Sequence, residues 1–156
     1  MSEDWYVLRG ATIRDTDFLY ELRNDPSVRE QSFQTDKIVY ENHKKWLKEK
    51  LEKNDVLIFI MEHCGEKIGQ VRIDMDKSGK WGNISYAVRK DYRKKGAGTW
   101  MLKKVEEMLY RSGLQGLVGE VKRNNVASQK VFQRLGYNEK VTDYGYEYSK
   151  ILEKRF

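Results

Sequence analysis

Several groups of residues in this chain have types and spacings suited to chemistry. The first is Arg93-Lys94-Lys95-Gly96-Ala97-Gly98. It follows a strand-like run, Ile84 to Val88, and precedes a stretch with Met101, Val105, Met108 and Leu109 at helical spacing. A helix start presents N–H groups with no intrahelical partner, and the helix dipole favours an anion there. Gly96 and Gly98 allow close backbone approach, and three cations add attraction. The order strand, basic glycine turn, helix predicts a phosphate cradle. A P-loop would need Gly-x4-Gly-Lys-Ser/Thr, which is absent. A dinucleotide fingerprint would need glycine where Met101 stands. Taken alone, the run also suits a glycine turn with a solvated basic face.

The second group surrounds Glu120, an acidic residue near the end of an otherwise apolar strand of Leu117, Val118 and Val121. A carboxylate held there suits proton transfer with a reacting group. An exposed strand end pairing with Lys122 or Arg123 is the alternative. Asn125 or Asn124 then caps a helix with Ala127, Val131, Phe132 and Leu135 as its apolar face, stopped by Gly136. The third group is Arg23, Arg29, His43 and Trp46. Cations for phosphate combine there with rings for stacking. The same two rings would equally pack two helices together.

Two of these stretches resemble the signatures of the GNAT acetyltransferases. Arg93-x-x-Gly96-x-Gly98 is similar to Arg/Gln-x-x-Gly-x-Gly/Ala. Asn125-x-x-Ser128-x-x-x-Phe132-x-x-x-Gly136-Tyr137 resembles Asn-x-x-Ala/Ser-x-x-x-Tyr-x-x-x-Gly-Phe. The resemblance covers nearly the whole chain. It implies an α/β GNAT fold, with a mixed, mostly antiparallel central sheet flanked by helices. It also implies a cytoplasmic acetyl-CoA-dependent N-acetyltransferase, with acetyl-CoA as co-substrate. The pyrophosphate would sit on Arg93, Lys94, Lys95, Gly96, Ala97 and Gly98. The pantetheine arm would pass Asn125, with Ser128 and Phe132 on the sheltering helix. Backbone N–H groups of Tyr86, Ala87 and Val88 would meet the developing oxyanion. Glu120 matches the general base of ribosomal-protein N-terminal acetyltransferases. Phe132 departs from the pattern, because the family tyrosine there can protonate the leaving thiolate. Thiolate leaves readily, and a water or another tyrosine would also serve.

Arg23-Asn-x-Pro26-x-Val-Arg29, followed by Glu41-x-His43-x-x-Trp46, is similar to GNAT enzymes acting on nucleotide-linked 4-amino sugars. The pseudaminic acid pathway enzyme is an example. The ribosomal-protein branch shares part of this pattern. The implied partner is a small-molecule amine, with Arg23, Arg29, His43 and Trp46 toward the acceptor. Peptide N-termini are the runner-up. Oligomeric state stays open, a homodimer included. A scaffold that binds CoA without turnover, or a basic nucleic-acid-binding module, are the competing classes.

The elements that must position these groups follow from periodicity. Strands are expected over 6–12, 56–62, 67–75, 81–88, 117–121, 137–141 and 144–151. Helices are expected from Asp15 to Asn24 and over 40–53, 98–112 and the stretch after Asn125. Pro26 turns the chain, and Gly65-Glu66 makes a hairpin turn. This mixed order argues for an α/β domain with a mixed sheet. One proline and no Ser/Gly linker in 156 residues suggest one domain over 1–156. The longest apolar run, Val56 to Met61, is too short to cross a bilayer. The N-terminus lacks the marks of a signal peptide. One cysteine permits no internal disulfide and suits a reducing cytosol; Cys64 reads as a small, partly buried thiol. The net charge is +6, but acidic residues are interspersed, so no nucleic acid partner and no membrane partner are expected. His43 and His63 form no ligand set, and no metal is expected.

Overall fold

The computed structural model describes residues 5–152. Its elements are β1 (Tyr6–Gly10), α1 (Thr16–Asn24), α2 (Pro26–Gln31), α3 (Tyr40–Leu51), β2 (Val56–His63), β3 (Glu66–Met75) and β4 (Trp81–Val88). They continue with α4 (Ala97–Leu109), β5 (Gly116–Lys122), α5 (Val126–Arg134), β6 (Asn138–Val141) and β7 (Gly145–Ile151). Among the described residues the strands form a seven-stranded sheet in the order β1-β2-β3-β4-β5-β7-β6. Every pairing is antiparallel except β4 with β5.

Alternation along the strands divides the core into two. Val71, Ile73, Ile84 and Leu117 pack with Met101, Leu102 and Val105 of α4 and Phe132 of α5. Val56, Ile58 and Ile60 face the other way and pack with Leu19 of α1 and Leu47 of α3. Helices α1 to α3 thus cover one side of the sheet, and α4 and α5 the other.

Three local expectations change. Pro26 does not merely turn the chain. It stands at the first position of α2, where its missing N–H costs nothing, and Asp25 caps that helix by accepting from the Ser27 amide. The β2–β3 hairpin turns on Cys64 and Gly65, both at positive φ (52° and 81°), so Cys64 projects outward and is exposed. Met108 and Ala127 face solvent, and Ser128 takes a buried place on α5 beside Phe132. No described helix is long and apolar enough to cross a membrane. No group of three or more described His, Cys, Asp or Glu residues is arranged to hold a metal.

Candidate active site

The basic glycine turn leaves β4 through a short 3-10 turn, Lys90–Tyr92. Lys94 and Gly96 both take positive φ (62° and 80°), and Gly96 is the N-cap of α4. No side chain caps this helix. The first-turn amides of Ala97, Gly98 and Thr99 therefore lack partners of the usual kind. The Thr99 hydroxyl is buried without a hydrogen-bond partner. An orphaned hydroxyl beside uncapped amides fits an anionic group, with Lys94 and Lys95 exposed at the rim.

The two glycines serve different ends. A Cβ on Gly96 would touch nothing within 4 Å, so its positive φ is what demands glycine. A Cβ on Gly98 would come within 3.1 Å of the Tyr86 ring, so Gly98 makes room for a side chain. Arg93 turns away from the cradle. Its Nε donates to the Val88 carbonyl at 3.0 Å and its Nη1 to Ser27 Oγ of α2 at 2.8 Å.

Strands β4 and β5 pair only from Trp81–Asn83 to Gly116–Val118, then part. The Arg89 amide donates to Ile68 of β3, while the Val88 carbonyl accepts from Arg93 on the opposite edge. Alternation then turns the backbones of Tyr86 and Val88 toward the gap and that of Ala87 toward β3. Helix α5 walls the gap. Asn125 Oδ1 accepts from the Ser128 amide at 3.2 Å, so half of its side chain is spent on capping. The Tyr86 hydroxyl donates to Ser128 Oγ at 3.1 Å, one turn before Phe132. Burial pushes the Tyr86 phenol up to about 12, against a smaller opposing effect of Ser128. Phe132 is a packing residue. Its ring stacks on Tyr148 at 5.1 Å and meets Tyr137 edge-on at 4.9 Å. It also fills the space over Gly119, where a Cβ would lie 2.5 Å from Phe132 Cζ.

Glu120 lies on the other face of β5. Leu117, Gly119 and Val121 point into the α4–α5 core, so Glu120 is exposed on the side of α1 to α3. It lines an open cleft of about 210 Å³ with Phe33, Arg72, Asp74, Asn83 and Ser85. Tyr144 stands beside it. Burial first, and then the Glu120 carboxylate, hold the Tyr144 phenol above its ordinary value. Phe33 meets Tyr144 edge-on at 5.0 Å. Glu147 of β7 is directly opposite Glu120 in the register. A second cleft, of about 580 Å³, is lined by Pro26, Arg29, Glu30, Thr35 and Asn124. Arg29 Nε is buried there without a partner.

The four residues expected toward the acceptor do not share one surface. Arg29 lines the second cleft. His43 is only 2% exposed, with its ring stacked on Trp46 and tilted against Tyr20. Burial, and then Arg23, push its imidazole below the ordinary value, against a weaker backbone interaction with Thr16. The Arg23 guanidinium lies 4.8 Å from the centroid of the Trp46 ring, and that of Arg72 lies 5.3 Å from it. For His43 the helix-packing alternative is the one realised: helices α1 and α3 enclose it beyond a ligand's reach. Sequence reasoning missed Arg72, Asp74, Asn83, Ser85, Thr99 and Tyr144. Alternation in β3, with Arg72 and Asp74 between Val71, Ile73 and Met75, marks a polar face but not what it looks onto.

The sequence profile of the acetyltransferase (GNAT) domain matches residues 6–138. The chain belongs to the GNAT family. It is 33% identical over 86 residues to an uncharacterised N-acetyltransferase of Methanocaldococcus jannaschii, a match spanning 53% of either chain. The chain thus spans about half the length of this curated relative. Two solved GNAT-fold structures are similar over nearly the whole chain. One is spermidine N-acetyltransferase from Vibrio cholerae with CoA and spermine. Its TM-score is 0.88 at 14% identity, covering 97% of this chain and 98% of that one. The other is RimL, a ribosomal L7/L12 alpha-N-protein acetyltransferase with CoA. Its TM-score is 0.84 at 15% identity, covering 96% of both. At these identities the likeness speaks for the GNAT fold.

Proposed function

We propose that this protein transfers acetyl from acetyl-CoA directly to a primary amine, as one GNAT domain, with Glu120 as general base. The observation that carries this is the parting of β4 and β5. The gap lies between the uncapped start of α4 on one face and the Glu120 cleft on the other. Acetyl-CoA supplies the thioester. The amine nitrogen forms the new C–N bond, its proton passes to Glu120, the C–S bond breaks and CoA thiolate leaves. The helix start at Ala97 to Thr99, with Lys94 and Lys95, takes the pyrophosphate. The amides of Tyr86 and Val88 stabilise the oxyanion. Asn125 Nδ2 remains for the pantetheine arm. Phe132 has no proton to offer; the Tyr86 hydroxyl, held on Ser128 one turn before Phe132 and protonated at neutral pH, turns from Ser128 Oγ to the thiolate and steadies it by hydrogen bonding.

For the acceptor, the sequence pattern around Arg23, Arg29 and Trp46 supports a nucleotide-linked amino sugar, and Arg29 in its cleft suits a phosphate. Peptide N-termini are the second reading, favoured by the fold shared with RimL. The test begins with thermal stabilisation by acetyl-CoA. Free CoA thiol release is then followed with a nucleotide-linked 4-amino sugar and with peptides bearing free N-termini. Stabilisation and turnover with the sugar are expected. Turnover with peptides alone sinks the sugar reading, and stabilisation without turnover on any amine leaves a CoA-binding scaffold.

A further inference from the structure

The Glu120 cleft has a second pole. Arg72 of β3 is opposite Ser85 of β4 in the register, and Asn83 is opposite Val118 of β5. Extending that parallel register by two residues sets Ser85 across the widening gap from Glu120. Arg72, Ser85 and Glu120 therefore form a row over one face of the sheet. The paired β3–β4 step is about 4.8 Å and the parted β4–β5 step is wider, so the Arg72 and Glu120 backbones lie at least about 10 Å apart.

Arg72 is held for contact rather than left to roam. Its Nε donates to Asp74 at 2.8 Å, and its guanidinium lies over Trp46. Its two terminal nitrogens have no hydrogen-bond partner among the described residues. The Arg23 guanidinium sits on the same ring and makes no hydrogen bond or ion pair among the described residues. Burial and the nearby Arg72 lower Arg23 to about 10, while Asp74 acts weakly the other way. Two guanidinium groups thus share one carboxylate, and that carboxylate is already bonded to Arg72. A surplus cation with a fork of free donors at the edge of a cleft is an anion subsite in form.

We infer that the acceptor is an amine that also carries an anionic group, phosphate or carboxylate, which Arg72 binds in the same cleft while the nitrogen faces Glu120. The Asp74 carboxylate and Trp46 fix the fork, and the Ser85 and Asn83 side chains, exposed in the cleft, add hydrogen bonds. This rests on the reading of Glu120 as the base. It explains why the cleft carries charges of both signs, where a site for a simple diamine would gain nothing from Arg72.

The test compares aminohexyl phosphate, aminoheptanoate, aminohexanol and hexane diamine as acceptors. A preference of at least about tenfold in kcat/KM for the anionic amines over aminohexanol is expected, from the ordinary strength of charged hydrogen bonds. Phosphate and carboxylate arms show which anion the fork prefers. In Arg72→Gln that preference collapses, and in Arg72→Lys part of it returns, while acetyl-CoA affinity reports that each variant is folded. Calorimetric binding of aminohexyl phosphate in the presence of CoA needs no turnover. A weaker affinity in Arg72→Gln supports the subsite even if Glu120 proves not to be the base. Equal handling of anionic and neutral amines, or binding unchanged by Arg72→Gln, overturns it.

Discussion

The start of α4 and the cleft around Glu120 serve one proposed reaction from opposite faces of the sheet, yet they are built from different material. The α4 cradle is made of backbone: free amides, an αL glycine and a helix dipole. The Glu120 cleft is made of side chains from β3, β4, β5 and the segment after α2. A backbone site needs a few consecutive residues of special conformation. A side-chain site needs residues distant in sequence to meet in register. The first tolerates change in its neighbours, and the second shifts whenever a neighbouring ring or ion pair does.

Changes in the cradle should produce the largest losses. Gly96→Glu forces a non-glycine residue into positive φ and sets a carboxylate where pyrophosphate is expected. Acetyl-CoA binding should vanish by calorimetry. Gly96→Ala separates the two causes. It meets no clash, costs about 1–2 kcal/mol of backbone strain, and should retain weakened binding. Equal affinity of Gly96→Glu and wild type would remove the cradle from the proposal.

The base comes next. Glu120→Gln should lower kcat about 100-fold or more with little change in acetyl-CoA affinity. Wild-type turnover in this variant at neutral pH would pass the proton to a water or another group. On the acceptor side, Trp46→Ala should act on stability as well as on substrate. The ring supports Arg23, Arg72 and His43, so urea unfolding should show a loss of about 2–3 kcal/mol. The acceptor KM should rise far more than that for acetyl-CoA. A rise in KM with stability untouched would mean that Trp46 meets only substrate.

Smaller effects sharpen the contrast. His43 is held below its ordinary pKa, so below about pH 6.5 the unfolded chain binds the proton and the folded chain resists it. Its contribution is present above that pH and is lost as pH falls, by at most about 1.4 kcal/mol per pH unit. His43→Leu should flatten the acid side of the stability profile. A profile unchanged by the substitution would assign the acid loss to other groups. Tyr86→Phe removes one hydroxyl from the gap while keeping the ring over Gly98. A fall in kcat of up to about tenfold is expected, the worth of one hydrogen bond. No change would show that the thiolate leaves unaided.

Much of the architecture was readable because it is local. Alternation and short apolar runs marked all seven strands to within a few residues, and glycine with asparagine marked the start of α4 and both ends of α5. The misses share a cause. Pro26 reads as a breaker until Asp25 is seen to cap a helix behind it. Cys64 reads as buried because the apolar run before it hides the two-residue turn. Gly98 reads as room for a ligand until the Tyr86 ring arrives from another strand.

Family membership, the basic glycine turn that opens α4 and the position of Glu120 are written in short stretches of sequence, because helix starts, glycine conformations and strand ends depend on adjacent residues. Which face Glu120 looks onto was decided by the pairing of β5 with β4 and β7. The same holds for the burial of His43, for Arg93 leaving the cradle to bond Ser27, and for the meeting of Arg23 and Arg72 on Trp46. Those outcomes rest on contacts across dozens of residues, which packing and register select and which no local pattern encodes.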